Sequence, residues 1–311
     1  MLLPLALGAA GCSATTTDTT NAGGTVRSTT AGGGSTTGTS TAPNKAGEEL
    51  AVVKVGAKED GDAYTYDAPA SLKTGWAKVI LDNGGKLPHQ LNIARVQEGK
   101  EEAIKSVLAG PTPDMAAAFA DAFIGGPNNV SGGSAGEAIV NFDKPGTYAL
   151  LCFIASPPDL EPHLAHGMVE YITVTAGPTP AIAPVLPKVE GEIEMQDFEW
   201  FLPDSFTGKG WYKLTNTADQ PHELAVHSLA DGKTADDAKA FLTSTEPPTG
   251  PPPFGDGAGA AGLSKSNVSY IKLDLKPGRY VLLCFIPDSP PPAHDLKPHF
   301  AHGMVKEITT A

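Results

Sequence analysis

Cys152, His163 and Met168 follow one another in KPGTYALLCFI and PHLAHGMVEYIT. The same order returns as Cys284, His299 and Met304 in KPGRYVLLCFI and PHFAHGMVKEIT. Each copy has one more histidine upstream, His89 in KLPHQLNI and His222 in DQPHELAV. One thiolate, two imidazoles and one thioether make the donor set of a mononuclear copper electron-transfer centre. Taken singly, each residue has an ordinary reading: a buried thiol, a loop histidine, a methionine filling the core. Soft donors kept in one order, twice, are harder to assign to packing. Four histidines stand outside this set. His166 and His302 are expected at the surface, whereas His227 and His294 have no counterpart in the first copy and read as incidental.

The elements that must hold these donors repeat as well. AVVKVGA, AYTYDAP, GWAKVILDN and QLNIARV read as short strands in the first copy. EGEIEMQDFEWFLP, GWYKLTNT and ELAVHSL do so in the second. Each copy then takes a helical insertion. Thr112 and Pro113 look like a cap and a first helical residue, with Met115, Phe119 and Phe123 at helical spacing. Thr234 caps a counterpart that buries Ala238, Phe241 and Leu242. Turns at Lys144-Pro145-Gly146 and Lys276-Pro277-Gly278 lead into the cysteine strands. There Tyr148, Leu150 and Cys152 share one face, as do Tyr280, Leu282 and Cys284. VEYITV and VKEIT close the copies. Short strands with Pro-Gly turns predict β-sandwiches.

The 311 residues suffice for two domains. Only 18% are charged, while Gly (35) and Pro (28) abound, which favours an all-β chain over a helical one. A net charge of -13 argues against a nucleic-acid partner. The expected division is 1–12 signal segment, 13–47 linker, 48–176 first domain, 177–190 proline-rich spacer and 191–311 second domain. A Cys152–Cys284 disulfide would have to join the same point of two separate domains, so metal ligation is the better reading.

Ala9-Ala10-Gly11-Cys12 resembles the lipobox of bacterial lipoproteins, which implies a lipid on Cys12. The Thr-, Ser- and Gly-rich stretch behind it cannot bury enough apolar surface to fold, and predicts a disordered tether. Together they would place the folded part at the cell envelope, held to the membrane and facing the periplasm or the exterior.

Pro88-His89, the run Pro145-Gly146 to Cys152, and His163 to Gly167-Met168 resemble the motifs of the cupredoxins, the blue-copper family of plastocyanin and azurin. So do Pro221-His222, Pro277-Gly278 to Cys284, and His299 to Gly303-Met304. The resemblance implies two tandem cupredoxin-like Greek-key β-sandwiches. Each would bind one copper through equatorial His89, Cys152 and His163, or His222, Cys284 and His299. Met168 and Met304 would be weak axial ligands. It further implies an electron-transfer protein with a redox partner at the envelope. The second histidine of each set would be the electron port, rimmed by Leu164 and Ala165 or by Phe300 and Ala301.

Two departures stand out. Ten residues separate Cys152 from His163, and fourteen separate Cys284 from His299, where small cupredoxins use a few. Gln90 and Glu223 follow the first histidine where the family commonly has Asn. Copper storage or delivery, and a metal-free binding module, are the competing functions. An oxidase or nitrite reductase is disfavoured, because Leu151 and Leu283 precede the cysteines where those enzymes carry histidine.

Overall fold

Inward-facing residues alternate along β1 (Ala51–Asp60), where Val53, Val55 and Ala57 are buried, and the same period recurs along Gly75–Asn83 and Lys209–Asn216. A computed structural model describes residues 49–100, 102, 123–155, 161–177, 183–245, 250–288 and 297–311. Cys12, the 13–47 linker, Thr112, Pro113, Met115, Phe119 and His294 lie outside the described residues.

The first half contains β2 (Ala63–Asp67), β3 (Ser71–Lys73), β4 (Gly75–Asn83), β5 (Asn92–Arg95), β6 (Ala135–Phe142), β7 (Gly146–Leu151) and β8 (Val169–Thr175). The second contains β9 (Gly191–Gln196), β10 (Glu199–Phe201), β11 (Lys209–Asn216), β12 (His222–Leu229), β13 (Phe254–Leu263), β14 (Val268–Asp274), β15 (Gly278–Leu283) and β16 (Val305–Thr310). Equivalent strands pair alike. β1 lies antiparallel to β2 and parallel to β4, and β9 does the same with β10 and β11. The cysteine strands β7 and β15 sit between β5 and β8, and between β12 and β16. Each half buries a core between its two sheets, one including Val79, Phe142 and Leu150, the other Leu214, Leu224 and Leu282. Among the described residues the fold is strands and loops apart from a 3-10 turn at His163–His166, the single helical residue Glu102 and a helix, α1 (Ala235–Thr243). Thr234 caps α1 as the sequence predicts, its hydroxyl accepting from the Asp237 N–H while the Asp237 carboxylate accepts from the Thr234 N–H.

The halves are not beads on a spacer. β6 pairs with its equivalent β14 through Ile139 and Tyr270, so one eight-stranded sheet runs through both. Each half thereby covers the other's open sheet edge. A second seam forms where the stretch from Phe123 to Val130 meets β13. Asn128 N–H donates to Gly259 O at 2.9 Å, and Ala261 N–H to Gly126 O at 2.9 Å. Both seams join equivalent segments antiparallel, the arrangement of an isologous dimer interface within one chain. Phe123 is therefore not helical, as its spacing implied. It is buried and bridges Ala94 as an extended residue. Gly126 and Gly259 are required at the seam. Both have positive φ (142° and 139°), and a Cβ would fall 1.9 Å from the carbonyl oxygen of Leu91 or Leu224. His227 belongs to this contact too and is not incidental. Asn129 of the first half donates to its ring at 2.9 Å, and burial pushes its pKa down to about 4.

Candidate metal centres

Each candidate ligand is placed by backbone bonds that recur in both halves. Asn83, buried at the end of β4, donates to Leu87 O and Val130 O, both at 2.8 Å, and so shapes the loop carrying His89. Asn216 donates likewise to Gln220 O and Leu263 O before His222. Cys152 and Cys284 follow directly on β7 and β15. The chain then leaves and returns. His163 N–H bonds Ile154 O at 2.8 Å and Leu164 N–H bonds Cys152 O at 3.0 Å. In the second half His299 bonds Ile286 O and Phe300 bonds Cys284 O, both at 2.9 Å. Antiparallel bridges, Ala155 with Pro162 and Pro287 with Pro298, close the base of each excursion. A closed base makes excursion length cheap, because closure entropy grows only slowly with loop length. Hence the long Cys-to-His spacing leaves the ligands in place. Met168 N–H and Met304 N–H bond the carbonyls of His163 and His299 at 3.0 Å. Both methionines are buried in the same cores as the cysteines.

The donors converge. His89 Nδ1 lies 3.0 Å from His163 Nδ1, and Cys152 Sγ lies 3.4 Å from His163 Nδ1 and 4.0 Å from His89 Nδ1. In the second half the three separations are 3.0, 3.4 and 3.9 Å. The centre of either triangle is about 2 Å from every corner, the length of a first-row metal bond to imidazole or thiolate. All six residues are fully buried. The donor set therefore fits a single metal ion per half, and its soft sulfur and two imidazoles suit copper.

The surroundings prepare the donors. Glu59 accepts from His89 Nε2 at 2.8 Å, and Asp197 accepts from His222 Nε2 at 3.2 Å. A carboxylate only accepts, so the proton is held on Nε2 and the Nδ1 lone pair faces the metal position. Burial pushes both histidines below their ordinary pKa against the opposing pull of these acids, which keeps the rings neutral. Glu59 itself lies below the usual carboxylate range. Burial raises it, but N–H donors of Lys86 and Leu87 together with His89 outweigh that. Gln220 accepts from His299 Nε2 at 3.3 Å and donates to Asp288 at 2.7 Å. Burial pushes the Cys152 thiol up to about 12 and Cys284 upward as well. A thiol so held gives up its proton when a metal cation replaces it.

The residues that replace asparagine tie the two ligand loops together. Gln90 Oε1 accepts from Phe153 N–H at 2.7 Å, and Glu223 Oε1 accepts from Phe285 N–H at 2.9 Å. Two positions further tie the strand after β1 or β9 to the same place. Tyr66 hydroxyl donates to Gln90 O, and Trp200 Nε1 donates to Glu223 O at 3.1 Å.

The expected electron ports are covered. Tyr64 stacks on His163 (centroids 4.5 Å, 20° between planes) and Phe198 packs edge-on against His299 at 5.2 Å. His163, His299, Leu164 and Phe300 are buried, whereas of the expected rim residues Ala165 is exposed and Ala301 half-buried. His302 is exposed and His166 half-buried, so both reach the surface as expected. Their rings pack on the same two aromatics at 5.1 and 5.2 Å. Glu59, Asp197, Tyr64, Tyr66, Phe198 and Trp200 all come from one hairpin per half. Sequence reasoning read these hairpins only as strands. The matched spacing of Tyr64 and Tyr66 with Phe198 and Trp200 was the available signal.

No protein-family model matches the chain, and no curated protein matches it. Among solved structures, a dithionite-reduced auracyanin from the photosynthetic bacterium Roseiflexus castenholzii shares 23% identity, covering 40% of this chain and 98% of its own, with a TM-score of 0.26. Auracyanin A, a "blue" copper protein from the green thermophilic photosynthetic bacterium Chloroflexus aurantiacus, shares 16%, covering 40% and 99%, with a TM-score of 0.26. A copper nitrite reductase from Nitrosomonas europaea shares 13%, covering 85% and 94%, with a TM-score of 0.24. The ligand geometry, rather than these distant likenesses, supports copper. Motif order, sandwich halves and two buried His-Cys-His groups make the chain cupredoxin-like.

Proposed function

We propose that the chain is an electron carrier that holds one type 1-like copper in each half. The observation that carries this is the donor triangle, repeated to within 0.1 Å between halves whose surrounding residues differ. Copper bound there would supply one-electron chemistry with little change of geometry. The chain's own part is to fix three donors, hold the His89 and His222 protons on Nε2 through Glu59 and Asp197, and exclude water from the thiolates. Burial of every donor favours a carrier over a protein that hands copper on. The absence of histidine beside either cysteine favours a carrier over an oxidase. We place it at the cell envelope, tethered by a lipid on Cys12 and the 13–47 linker, with a redox protein there as partner.

Copper loading of the full chain, followed by desalting, tests this. The expected result is an intense thiolate-to-copper absorption band with two coppers per chain. A colourless product without copper contradicts it.

A further inference from the structure

Between the two cysteine loops runs a buried chain of side chains that crosses the seam. Phe153 N–H donates to Gln90 Oε1, and Gln90 Nε2 donates to Asn128 Oδ1 at 3.0 Å. Asn128 Nδ2 donates to Glu223 Oε2 at 3.0 Å, and Glu223 Oε1 accepts from Phe285 N–H. The three side chains are 3–5% exposed. Gln90 and Glu223 occupy the same place in their halves, with the same bond to the residue after the cysteine. They differ in one group, a neutral amide against a carboxylate. Both Glu223 oxygens accept N–H donors, which is the pattern of an ionised carboxylate. Asn128 closes the pattern. Its amide offers an acceptor to the glutamine and a donor to the glutamate, and Ala261 holds its place in the other half.

We propose that Glu223 sets the two centres to different reduction potentials, so that the second half is the electron donor and the first half the acceptor within one molecule. This rests on copper binding as proposed above. A buried negative charge beside a thiolate ligand stabilises the oxidised state of the metal more than the reduced one, and so lowers the potential. Gln90 exerts no such field on the Cys152 side. Here Glu223 is a positioning and tuning residue, since it lies behind the ligands and does not touch the metal position.

The test exploits the symmetry of the amide. Exchanging the pair, Gln90→Glu with Glu223→Gln, preserves every hydrogen bond of the chain between the two loops if Asn128 turns its amide over, and gives up only the long 3.4 Å bond from Asn128 Nδ2 to Ala260 O. The single change Glu223→Gln instead sets two N–H groups against each other, so the exchange is the cleaner variant. Each centre is read alone in a Cys152→Ser or Cys284→Ser background. The readout is the reduction potential, followed through the thiolate band at one pH well above neutral. In the parent chain the second centre is expected to lie lower. The exchange should raise the second centre and lower the first, each by at least a tenfold change in its one-electron equilibrium, or 59 mV. Potentials that stay put in a folded, coloured exchange variant overturn the proposal while leaving copper binding intact. A parent chain without the band overturns both readings. Should the exchange variant fail to fold, as judged by circular dichroism, Asn128→Asp combined with Glu223→Gln supplies the second measurement. It moves the one charge to the middle of the chain with donors still facing acceptors, so the second potential should rise and the first fall, and an unchanged gap between them would overturn the proposal.

Discussion

The two centres have the same three donors at nearly the same separations and share neighbours such as Asn83 and Asn216 or Met168 and Met304, yet the groups that bond and cover the histidines differ. Glu59 and Asp197 hold the first histidine in different halves, Tyr64 and Phe198 cover the second, and Tyr66 and Trp200 reach the same carbonyl. Duplication has thus kept the positions that fix donor geometry and let the groups at those positions vary in charge and polarity. Backbone bonds place the ligands, while side chains around them set the electrostatics. The Gln90–Glu223 pair is the sharpest case, because one amide-for-carboxylate difference sits at otherwise equal geometry.

The comparison breaks most completely at the cysteines. Cys152→Ser should abolish the first centre's band and leave one copper per chain, and Cys284→Ser should do the converse. Equal loss of both centres from either change, seen by copper analysis, would mean that the halves do not bind independently. Next comes the backbone. Gly126→Ala and Gly259→Ala each force a Cβ onto a carbonyl at 1.9 Å and keep a positive φ. Each should destabilise by about 3 kcal/mol or more in a denaturant melt. A tolerated alanine at one of the two would show that the seam is not equivalent on its two sides.

Stability against pH separates the halves of the copper-free chain. Burial raises Glu223 from 4.5 to about 7, while Gln90 does not titrate. A raised carboxyl pKa means that the folded chain binds the proton more tightly than the unfolded one. The favourable protonated form is therefore present below pH 4.5, and its contribution is lost as pH rises through 7. The loss is about 3 kcal/mol, and Glu223→Gln should remove that slope. His227 acts oppositely. Its folded value is depressed from 6.5 to about 4, so its contribution is present above 6.5 and fades as pH falls through 4. The informative quantity is thus the difference between Glu223→Gln and the parent across the window, and parallel curves would contradict the buried-carboxyl assignment. The smallest effect is expected at the covering rings. Tyr64→Ala and Phe198→Ala should each cost about 1 kcal/mol from the lost ring contact. Each should also speed reduction of its own centre by a small soluble reductant.

Much of this was legible in the sequence because it repeats there. The ligands, the cysteine strands, β4, and the Thr234 cap all carry local signals with a fixed period or spacing. The seam did not. β13 reads FGDGAGAAGL, whose glycines and alanines look like a turn-rich loop. Its strand form comes from the close approach of a second backbone, which only small residues permit. Phe123 fell to a spacing coincidence, since a helical period over three residues cannot outweigh a sheet edge seeking a partner. The acids at 59 and 197 were invisible because the hairpins that carry them differ in length, which hides their equivalence.

X-ray absorption at the copper edge of the loaded chain is the most direct test of the donor triangles. One short sulfur and two imidazole nitrogens are expected, all about 2 Å from each copper. A shell of nitrogen and oxygen alone, with both cysteines still free thiols, would contradict it.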